Sequence, residues 1–246
     1  MHDHRIRIHH QFSSHRLKHA RDILVFLPQE YVHRRKRYPV LYMQDGQNLI
    51  DPATAFGGVP WHIEKTIDRL TRSRKIQELI VVGIYNAPER TKEYAAGEFG
   101  HFYADFVIHE LKPMIDRTYR TKPGREFTAA AGSSMGGLIS FFFAWHYPEV
   151  FSKAACLSSS FFWRNNKMLY DVEIYQGPKK DIRIYLDVGT RERSLIPSFE
   201  KMVALLEDKG YVPNTDFQAH CEDGGDHNER SWGDRFWRPL TFLFGK

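Results

Sequence analysis

Apolar runs alternate with helical patterns through the middle of this sequence, and no other feature restricts the fold as much. Residues 79–84 read LIVVGI, a run without a polar side chain, which is typical of a strand buried on both faces. Short strand patterns also occupy residues 127–131, 154–157 and 182–188, and helical patterns lie between the first three of these four segments. Strands that alternate with helices predict a mostly parallel sheet covered by helices on both sides.

The first part of the chain carries strand patterns without helices between them, which predicts antiparallel pairs at one edge of the sheet. With these segments and the last strand, residues 217–221, we expect an α/β fold with a twisted sheet of about eight strands. The early strand patterns are residues 5–12, 23–27 and 39–43. The predicted helices are residues 61–70, 102–119, 135–146 and 236–244, and one between Pro197 and Gly210.

The composition fits one sizeable core. The chain has 246 residues, of which 42% are hydrophobic, so we expect one domain spanning residues 1–246. No apolar run approaches the roughly 18 residues of a membrane span, and the N-terminus lacks the apolar core of a signal peptide. Two cysteines in a chain of this size are typical of buried thiols in a reducing compartment, which favours the cytoplasm.

Charge and histidine content indicate no cofactor, metal or macromolecular partner. The formal net charge is +5, but the positive residues are scattered except at residues 33–37, and no nucleic-acid-binding motif accompanies that run. Four histidines crowd the N-terminus, where a strand would place His2 and His4 on one face. No cysteine or carboxylate pattern completes a metal site there. We expect a protein without a metal or cofactor that does not bind nucleic acid or a membrane.

The segment from residue 130 to 137 reads AAGSSMGG and joins a predicted buried strand directly to an apolar helix. Its frame Gly132-Ser133-Ser134-Met135-Gly136 fits G-x-S-x-G, a strained turn that exposes one hydroxyl. Glycine two residues before and after the serine avoids a collision with the neighbouring backbone. Since parallel sheets carry their chemistry at the carboxyl ends of the strands, Ser134 is the candidate nucleophile, and Ser133 is out of frame.

A serine hydroxyl needs a base that is held by an acid, and in this architecture the chain order is serine, acid, histidine. His227 lies in a glycine-rich loop after the last predicted strand, whereas His146 ends a helix and His220 lies within a strand. His227 is therefore the candidate base. Glu192 follows the strand that ends near residue 188 and is the preferred acid, with Asp187, inside that strand, as the alternative.

Two backbone amides are candidates for an oxyanion hole. One belongs to Met135, directly after the candidate nucleophile. The other belongs to Gln47, in the loop Asp45-Gly46-Gln47 after the third predicted strand. Asp45 is interpreted as a turn former.

With these residues in place, the chain resembles the esterase family of the α/β-hydrolase superfamily from about Arg21 to Phe244. That family includes proteins similar to enterochelin esterase, feruloyl and acetyl-xylan esterases, formylglutathione hydrolase and mycolyltransferases. The resemblance implies that Ser134, Glu192 and His227 form a catalytic triad, although many relatives have aspartate where this chain has Glu192. The matching segments are residues 21–23, 42–48, 132–137 and 189–192, and Gly225-Asp226-His227 followed by Trp232.

The sequence therefore predicts a serine esterase that hydrolyses a soluble short-chain, aryl or sugar ester. Trp163 and Trp232 are candidates for binding the substrate, although either could equally belong to the core. No insertion is long enough for a large lid. Three alternatives remain open: acyl transfer to an alcohol, hydrolysis of a siderophore ester, and a non-catalytic binding protein on the same fold.

Overall fold

The computed structural model describes residues 3–246, and its centre is a sheet of eight strands in the order β1-β2-β4-β3-β5-β6-β7-β8. Each strand lies within two residues of a predicted one. The strands are β1 Ile6–Phe12, β2 Arg21–Phe26, β3 Val40–Gln44, β4 Ile80–Ile84, β5 Thr128–Ser133, β6 Lys153–Leu157, β7 Arg183–Gly189 and β8 Phe217–Glu222.

Strand directions agree with the expected mixed sheet. The pairs β1–β2 and β2–β4 are antiparallel, and every other neighbouring pair is parallel. The carboxyl ends of β3 to β8 therefore meet at one rim. The prediction of a mostly parallel sheet with antiparallel first pairs is confirmed.

Helices cover both faces of the sheet, and three of them, α2, α6 and α8, were not predicted. The helices are α1 Ile63–Arg72, α2 Arg90–Glu93, α3 Glu98–Asp105, α4 Lys112–Thr118, α5 Met135–His146, α6 Trp163–Glu173, α7 Ile196–Asp208, α8 Glu229–Arg235 and α9 Trp237–Phe244. The helix expected over residues 102–119 consists of α3, a π-helical stretch Phe106–Leu111, and α4. Pro113 has no N–H to donate, so the ladder of i to i−4 hydrogen bonds cannot continue through it.

Successive side chains of the central strands enter two separate cores. In β3, Val40 and Tyr42 pack in the layer that contains α3 to α7, while Leu41 and Met43 pack in the layer that contains α1, α8 and α9. Side chains alternate across a strand, so a strand covered on both faces is apolar at nearly every position. This is why the strand segments appear as continuous apolar runs.

The amino ends of the parallel strands carry a basic surface, which we call the basic end. Residues 33–37 form an exposed loop immediately before β3, and Lys36 in that loop forms an ion pair with Glu78. A cavity of about 440 Å³ lies beside this loop. Its cationic lining residues are Arg34, Lys36, Arg37, Arg74, Lys122 and Lys246.

Cys156 is a buried free thiol in β6, and Cys221 is an exposed free thiol on β8. His4 lies in a turn before β1 and not on a strand, and its expected neighbour His2 lies outside the described residues. In residues 3–246, no helix combines the length and apolarity that crossing a membrane requires. The same part of the chain holds no group of three or more His, Cys, Asp or Glu side chains placed to bind a metal ion.

Candidate active site

The turn between β5 and α5 holds Ser134 in an unusual backbone conformation, with φ 57° and ψ −122°. A Cβ on Gly132 would lie 2.6 Å from the backbone carbon of Gly136, which confirms that this position requires glycine. A Cβ on Gly136 would meet the Gln44 side chain at 3.1 Å, a milder contact than the sequence suggested. Gly137 is also constrained, because a Cβ there would lie 2.2 Å from Ser159 Oγ.

His227 lies in the loop between β8 and α8, with its imidazole beside the Ser134 hydroxyl. Its Nε2 is 3.0 Å from Ser134 Oγ, and its Nδ1 is 2.6 Å from Glu192 Oε1. The other two candidate histidines have different partners. His146 lies 3.8 Å from Asp171, and His220 is 2.7 Å from Glu222.

Glu192 lies in the loop between β7 and α7 and is only 6% exposed. Its Oε1 faces His227, while its Oε2 accepts hydrogen bonds from Ser158 Oγ and the Gly189 N–H, at 2.7 and 2.5 Å. Burial disfavours the ionised carboxylate, but the hydrogen bonds from His227, Ser158 and Gly189 outweigh burial and hold the pKa of Glu192 below its ordinary value. Glu192 is therefore ionised at neutral pH.

Asp187, the alternative acid, contacts neither the imidazole nor the cleft. It is 1% exposed, and its oxygens accept hydrogen bonds from Arg235 Nε and Nη2 at 3.1 and 3.0 Å. Burial raises the pKa of Asp187, and the Arg235 guanidinium opposes that change. The structure thus brings Glu192, and not Asp187, to His227.

Three side chains behind Glu192 were not predicted to lie there, namely Ser158, Trp232 and Arg235. Ser158 Oγ donates to Glu192 and accepts hydrogen bonds from Trp232 Nε1 at 2.9 Å and Arg235 Nη2 at 2.7 Å. A charged residue within an apolar strand, as at Asp187, is a signal that a buried cation lies nearby. Nothing in the sequence indicated that Arg235 on α8 would be that cation.

Trp232 occupies a different place from the one expected for a substrate-binding residue. It is 4% exposed, and its ring packs edge-on against the His227 imidazole, with centroids 4.8 Å apart. Its N–H is bound to Ser158, so the indole is anchored behind the imidazole and does not line the cleft. This corrects the interpretation of Trp232 as a cleft residue.

The loop after β3 lies next to the Ser134 turn, because β3 and β5 are parallel neighbours in the sheet. Gln47 lies in a 3₁₀ turn, Gly46–Asn48, and its side-chain oxygen accepts a hydrogen bond from the Asn86 N–H at 3.1 Å. A Cβ on Gly46 would lie 2.4 Å from the backbone carbon of Gly83, so glycine lets this loop pack directly on β4.

Asp45 forms the turn that the sequence predicted, with φ 55°, and it has a further role. Its carboxylate is 6% exposed and forms an ion pair with Arg90 on α2, with Nε–Oδ1 and Nη2–Oδ2 distances of 2.6 and 2.7 Å. Asn86 Nδ2 also donates to Asp45, at 2.8 Å. These contacts fix the conformation of the loop that carries Gln47.

An open cleft of about 690 Å³ lies over Ser134 and His227. Trp163 lines it as expected, together with Phe162, whose side chain is 45% exposed. Ser160 also borders the cleft, and its Oγ is 3.3 Å from Ser134 Oγ. The other lining residues are Met135, Arg191, Glu192, Arg193, Ser194, Leu195 and Asp226.

Comparisons with known proteins identify relatives in sequence and in fold. A domain of a Xylanibacter ruminicola protein named endo-1,4-beta-xylanase/feruloyl esterase is 30% identical over 216 residues, which are 85% of this chain and 27% of that protein. A solved structure named ferulic acid esterase has a TM-score of 0.79 at 22% identity, and 97% of each chain is covered. The enterobactin esterase of Shigella flexneri has a TM-score of 0.80 at 21% identity, covering 97% of this chain and 59% of that one.

The two solved structures show that the fold is shared. The family model named Esterase, with the description "Putative esterase", matches residues 14–243. Because that match covers nearly the whole sequence, the chain belongs to this esterase family of the α/β-hydrolase superfamily and is a carboxylic-ester hydrolase.

Proposed function

We propose that this esterase is a serine hydrolase in which Ser134 is the nucleophile, His227 the general base and Glu192 the acid that orients the imidazole. The observation that carries the proposal is the pair of contacts at the two imidazole nitrogens, 3.0 Å to Ser134 Oγ and 2.6 Å to Glu192 Oε1. A carboxylate at Nδ1 selects the tautomer with its proton on Nδ1, which leaves Nε2 free to accept the serine proton. Residues 1–246 would act as one catalytic domain.

In the proposed mechanism, Ser134 Oγ attacks the ester carbonyl while His227 Nε2 takes its proton. The negative charge on the carbonyl oxygen develops against the N–H groups of Met135 and Gln47. Met135 is the first residue of α5, so its amide lies at the positive end of that helix. The imidazolium then gives its proton to the leaving alcohol, and a water activated by His227 releases the acid.

The shape and the lining of the cleft support a proposal for the substrate class. We propose a soluble short-chain, aryl or sugar ester, because the cleft is open and Phe162 and Trp163 offer flat apolar surfaces beside Ser134. The similarity to a feruloyl esterase favours an aromatic acyl group. Arg191 and Arg193 on the cleft wall favour a second candidate, an anionic siderophore ester, in line with the similarity to enterobactin esterases.

The nucleophile is tested by comparing Ser134→Ala with Ser133→Ala. Because the mechanism needs the Ser134 oxygen, we expect Ser134→Ala to lower kcat on p-nitrophenyl acetate by about three or more powers of ten and to abolish labelling by a fluorophosphonate. Ser133→Ala changes the adjacent hydroxyl, which is 6% exposed, and should retain most of the activity. Strong labelling of Ser134→Ala, or equal losses in both variants, would contradict the assignment.

The substrate is tested with a panel of p-nitrophenyl esters of different chain length, run beside feruloyl esters, acetylated sugars and a cyclic catecholate ester. The best kcat/KM identifies the acyl group. Each reaction is repeated with a competing alcohol, because a transferase would yield the new ester and a hydrolase the free acid. Selective cleavage of the catecholate ester would favour the siderophore candidate.

A further inference from the structure

A buried arginine and a buried aspartate lie directly behind Glu192, outside the cleft. We propose that Asp187 and Arg235 are positioning residues, in which Asp187 holds the Arg235 guanidinium so that Glu192 keeps its negative charge for His227. This inference rests on the proposed function of Glu192 and His227, and neither Asp187 nor Arg235 borders the cleft.

The distances show how the guanidinium divides its contacts between two carboxylates. Arg235 makes two hydrogen bonds to Asp187, at 3.0 and 3.1 Å, whereas its nearest approach to Glu192 is 3.5 Å. The three side chains are at most 6% exposed, so little solvent separates their charges. A guanidinium released from Asp187 would find Glu192 as its nearest carboxylate.

The Ser158 hydroxyl lies between this ion pair and Glu192, and its partners determine which hydrogen bonds it accepts and which it donates. Trp232 Nε1 and Arg235 Nη2 can only donate hydrogen bonds, and both donate to Ser158 Oγ. These two bonds occupy both lone pairs of the hydroxyl, so its single proton must be donated to Glu192 Oε2, 2.7 Å away. The carboxylate is thereby held with Oε1 free to face His227.

The charges explain why two carboxylates accompany one guanidinium. Asp187 neutralises Arg235, and Glu192 is left with a negative charge for the imidazolium that forms when His227 takes the serine proton. Without the negative charge of Asp187, Arg235 would neutralise Glu192, and the imidazole would hold its proton less tightly. Without the positive charge of Arg235, the imidazole would hold its proton more tightly.

Other charged groups also lie on the elements around the imidazole, and the variants below leave them unchanged. Asp226, on the same loop as His227, pairs with Arg191 at 3.1 Å. Glu229 on α8 accepts a hydrogen bond from Asn48 at 3.2 Å. The full set comprises Arg191, Arg193, Asp226, Glu229, and the Asp45–Arg90 pair on the other side of the cleft.

The test is the pH dependence of kcat/KM for Asp187→Asn and Arg235→Gln. Only the neutral imidazole is a base, so the acid limb of the profile follows loss of its proton. We expect Asp187→Asn to move the acid limb to lower pH and Arg235→Gln to move it to higher pH, each by about half a unit or more. Arg235→Lys keeps the positive charge and should restore the parent profile.

A matched control is Arg238→Gln, which removes an arginine that pairs with Glu222 at 3.1 Å and does not border the cleft. Its profile should coincide with that of the parent protein. If activity falls in the Asp187 and Arg235 variants without opposite movements of the acid limb, the two residues are structural only and the inference is wrong. Circular dichroism and melting curves establish which variants are folded.

Ser158→Ala tests the positioning role if the Asp187 and Arg235 variants do not fold. It removes only one oxygen atom and no buried charge. Loss of its hydrogen bond makes Glu192 a stronger acceptor, so the acid limb should move to higher pH, and an unchanged limb would overturn the inference. Glu192→Gln separates this failure from failure of the proposed function. Full activity in Glu192→Gln would exclude the triad itself, whereas an inactive Glu192→Gln with unshifted Asp187 and Ser158 variants would exclude only the positioning role.

Discussion

Ser134 has a backbone conformation that a residue with a side chain rarely adopts, and its neighbours make that conformation possible. Its φ of 57° lies in the left-handed region, where a Cβ crowds the following carbonyl. Gly132 and Gly137 allow the backbone of β6 and the start of α5 to approach the turn closely. These glycines thus allow the turn to take this shape, and the packing of the two cores around it keeps the strained conformation in place.

Gly132→Ala adds one methyl group and tests whether the turn that carries Ser134 requires glycine at this position. Its Cβ would lie 2.6 Å from the Gly136 backbone, so we expect a loss of about 1–3 kcal/mol in the free energy of unfolding. Esterase activity should fall more steeply, because the turn that carries Ser134 must move.

Gly124→Ala is the control for this substitution. The three atoms nearest the added Cβ would all belong to the carboxylate of Glu126, an exposed side chain that can turn away. Urea titrations and p-nitrophenyl acetate hydrolysis of both variants measure the two effects. If Gly132→Ala has the stability and activity of Gly124→Ala, the turn tolerates a side chain there.

At the scale of elements, α5 runs from the strained turn to His146, whose ring is enclosed by its neighbours. The His146 ring packs 4.4 Å from the Phe142 ring and 5.5 Å from the His101 ring, measured between centroids. Burial outweighs the attraction of Asp171 and lowers the pKa of His146 from 6.5 to about 4. His146 is therefore neutral in the folded protein over most of the acidic range.

His146 should make the protein less stable as the pH falls from about 6.5 towards 4. In that window the unfolded chain binds a proton at this position and the folded chain does not, so unfolding becomes more favourable. Between pH 7 and pH 5 we expect the parent protein to lose about 2 kcal/mol more unfolding free energy than His146→Gln.

Urea titrations at the two pH values measure this difference. His33→Gln, on an exposed loop of the basic end, is the control and should lose as much stability as the parent protein. Equal losses for the parent and His146→Gln would mean that the folded protein protonates His146 as readily as the unfolded chain.

The elements that follow from continuous apolar runs were predictable, and the elements that depend on distant contacts were not. The inner strands β2 to β7 bury both faces, so their positions are visible locally, as in residues 79–84. The start of α6 is different, since Arg164, Asn165 and Asn166 have φ values of 47°, 58° and 61°. No local periodicity identifies a helix that begins with such a left-handed turn.

At the scale of the whole molecule, some residues of the candidate site could likewise be predicted from the sequence and others could not. The positions of Ser134, Glu192 and His227 could be inferred because the rim of a parallel sheet brings together the loops that follow its strands. The partners of Asp187 could not, because Arg235 is 48 residues further along the chain and reaches it only through tertiary packing. The burial of Trp232 likewise depends on α8, which the sequence did not predict.

The open cleft leads to a prediction about substrate choice. Phe162 is 45% exposed and borders the cleft, so Phe162→Ala should lower kcat/KM for an aryl-acyl ester by about tenfold through lost apolar contact. The acetate ester is too small to use that surface and should be hydrolysed nearly as well as by the parent enzyme.

Phe56→Ala is the matched control, because Phe56 is 76% exposed and does not border the cleft. Steady-state kinetics on the two esters with both variants provide the comparison. Equal losses on the two substrates would show that Phe162 shapes the cleft without selecting the acyl group.

The basic end and the cleft lie at opposite rims of the same sheet. An immobilised or adsorbed molecule would therefore take one preferred orientation on a negatively charged support. Arg34, Arg74 and Lys122 would face the matrix, while Ser134 would remain turned towards the bulk solution. Attachment through charge alone would then leave substrate entry unobstructed, without any engineered tether.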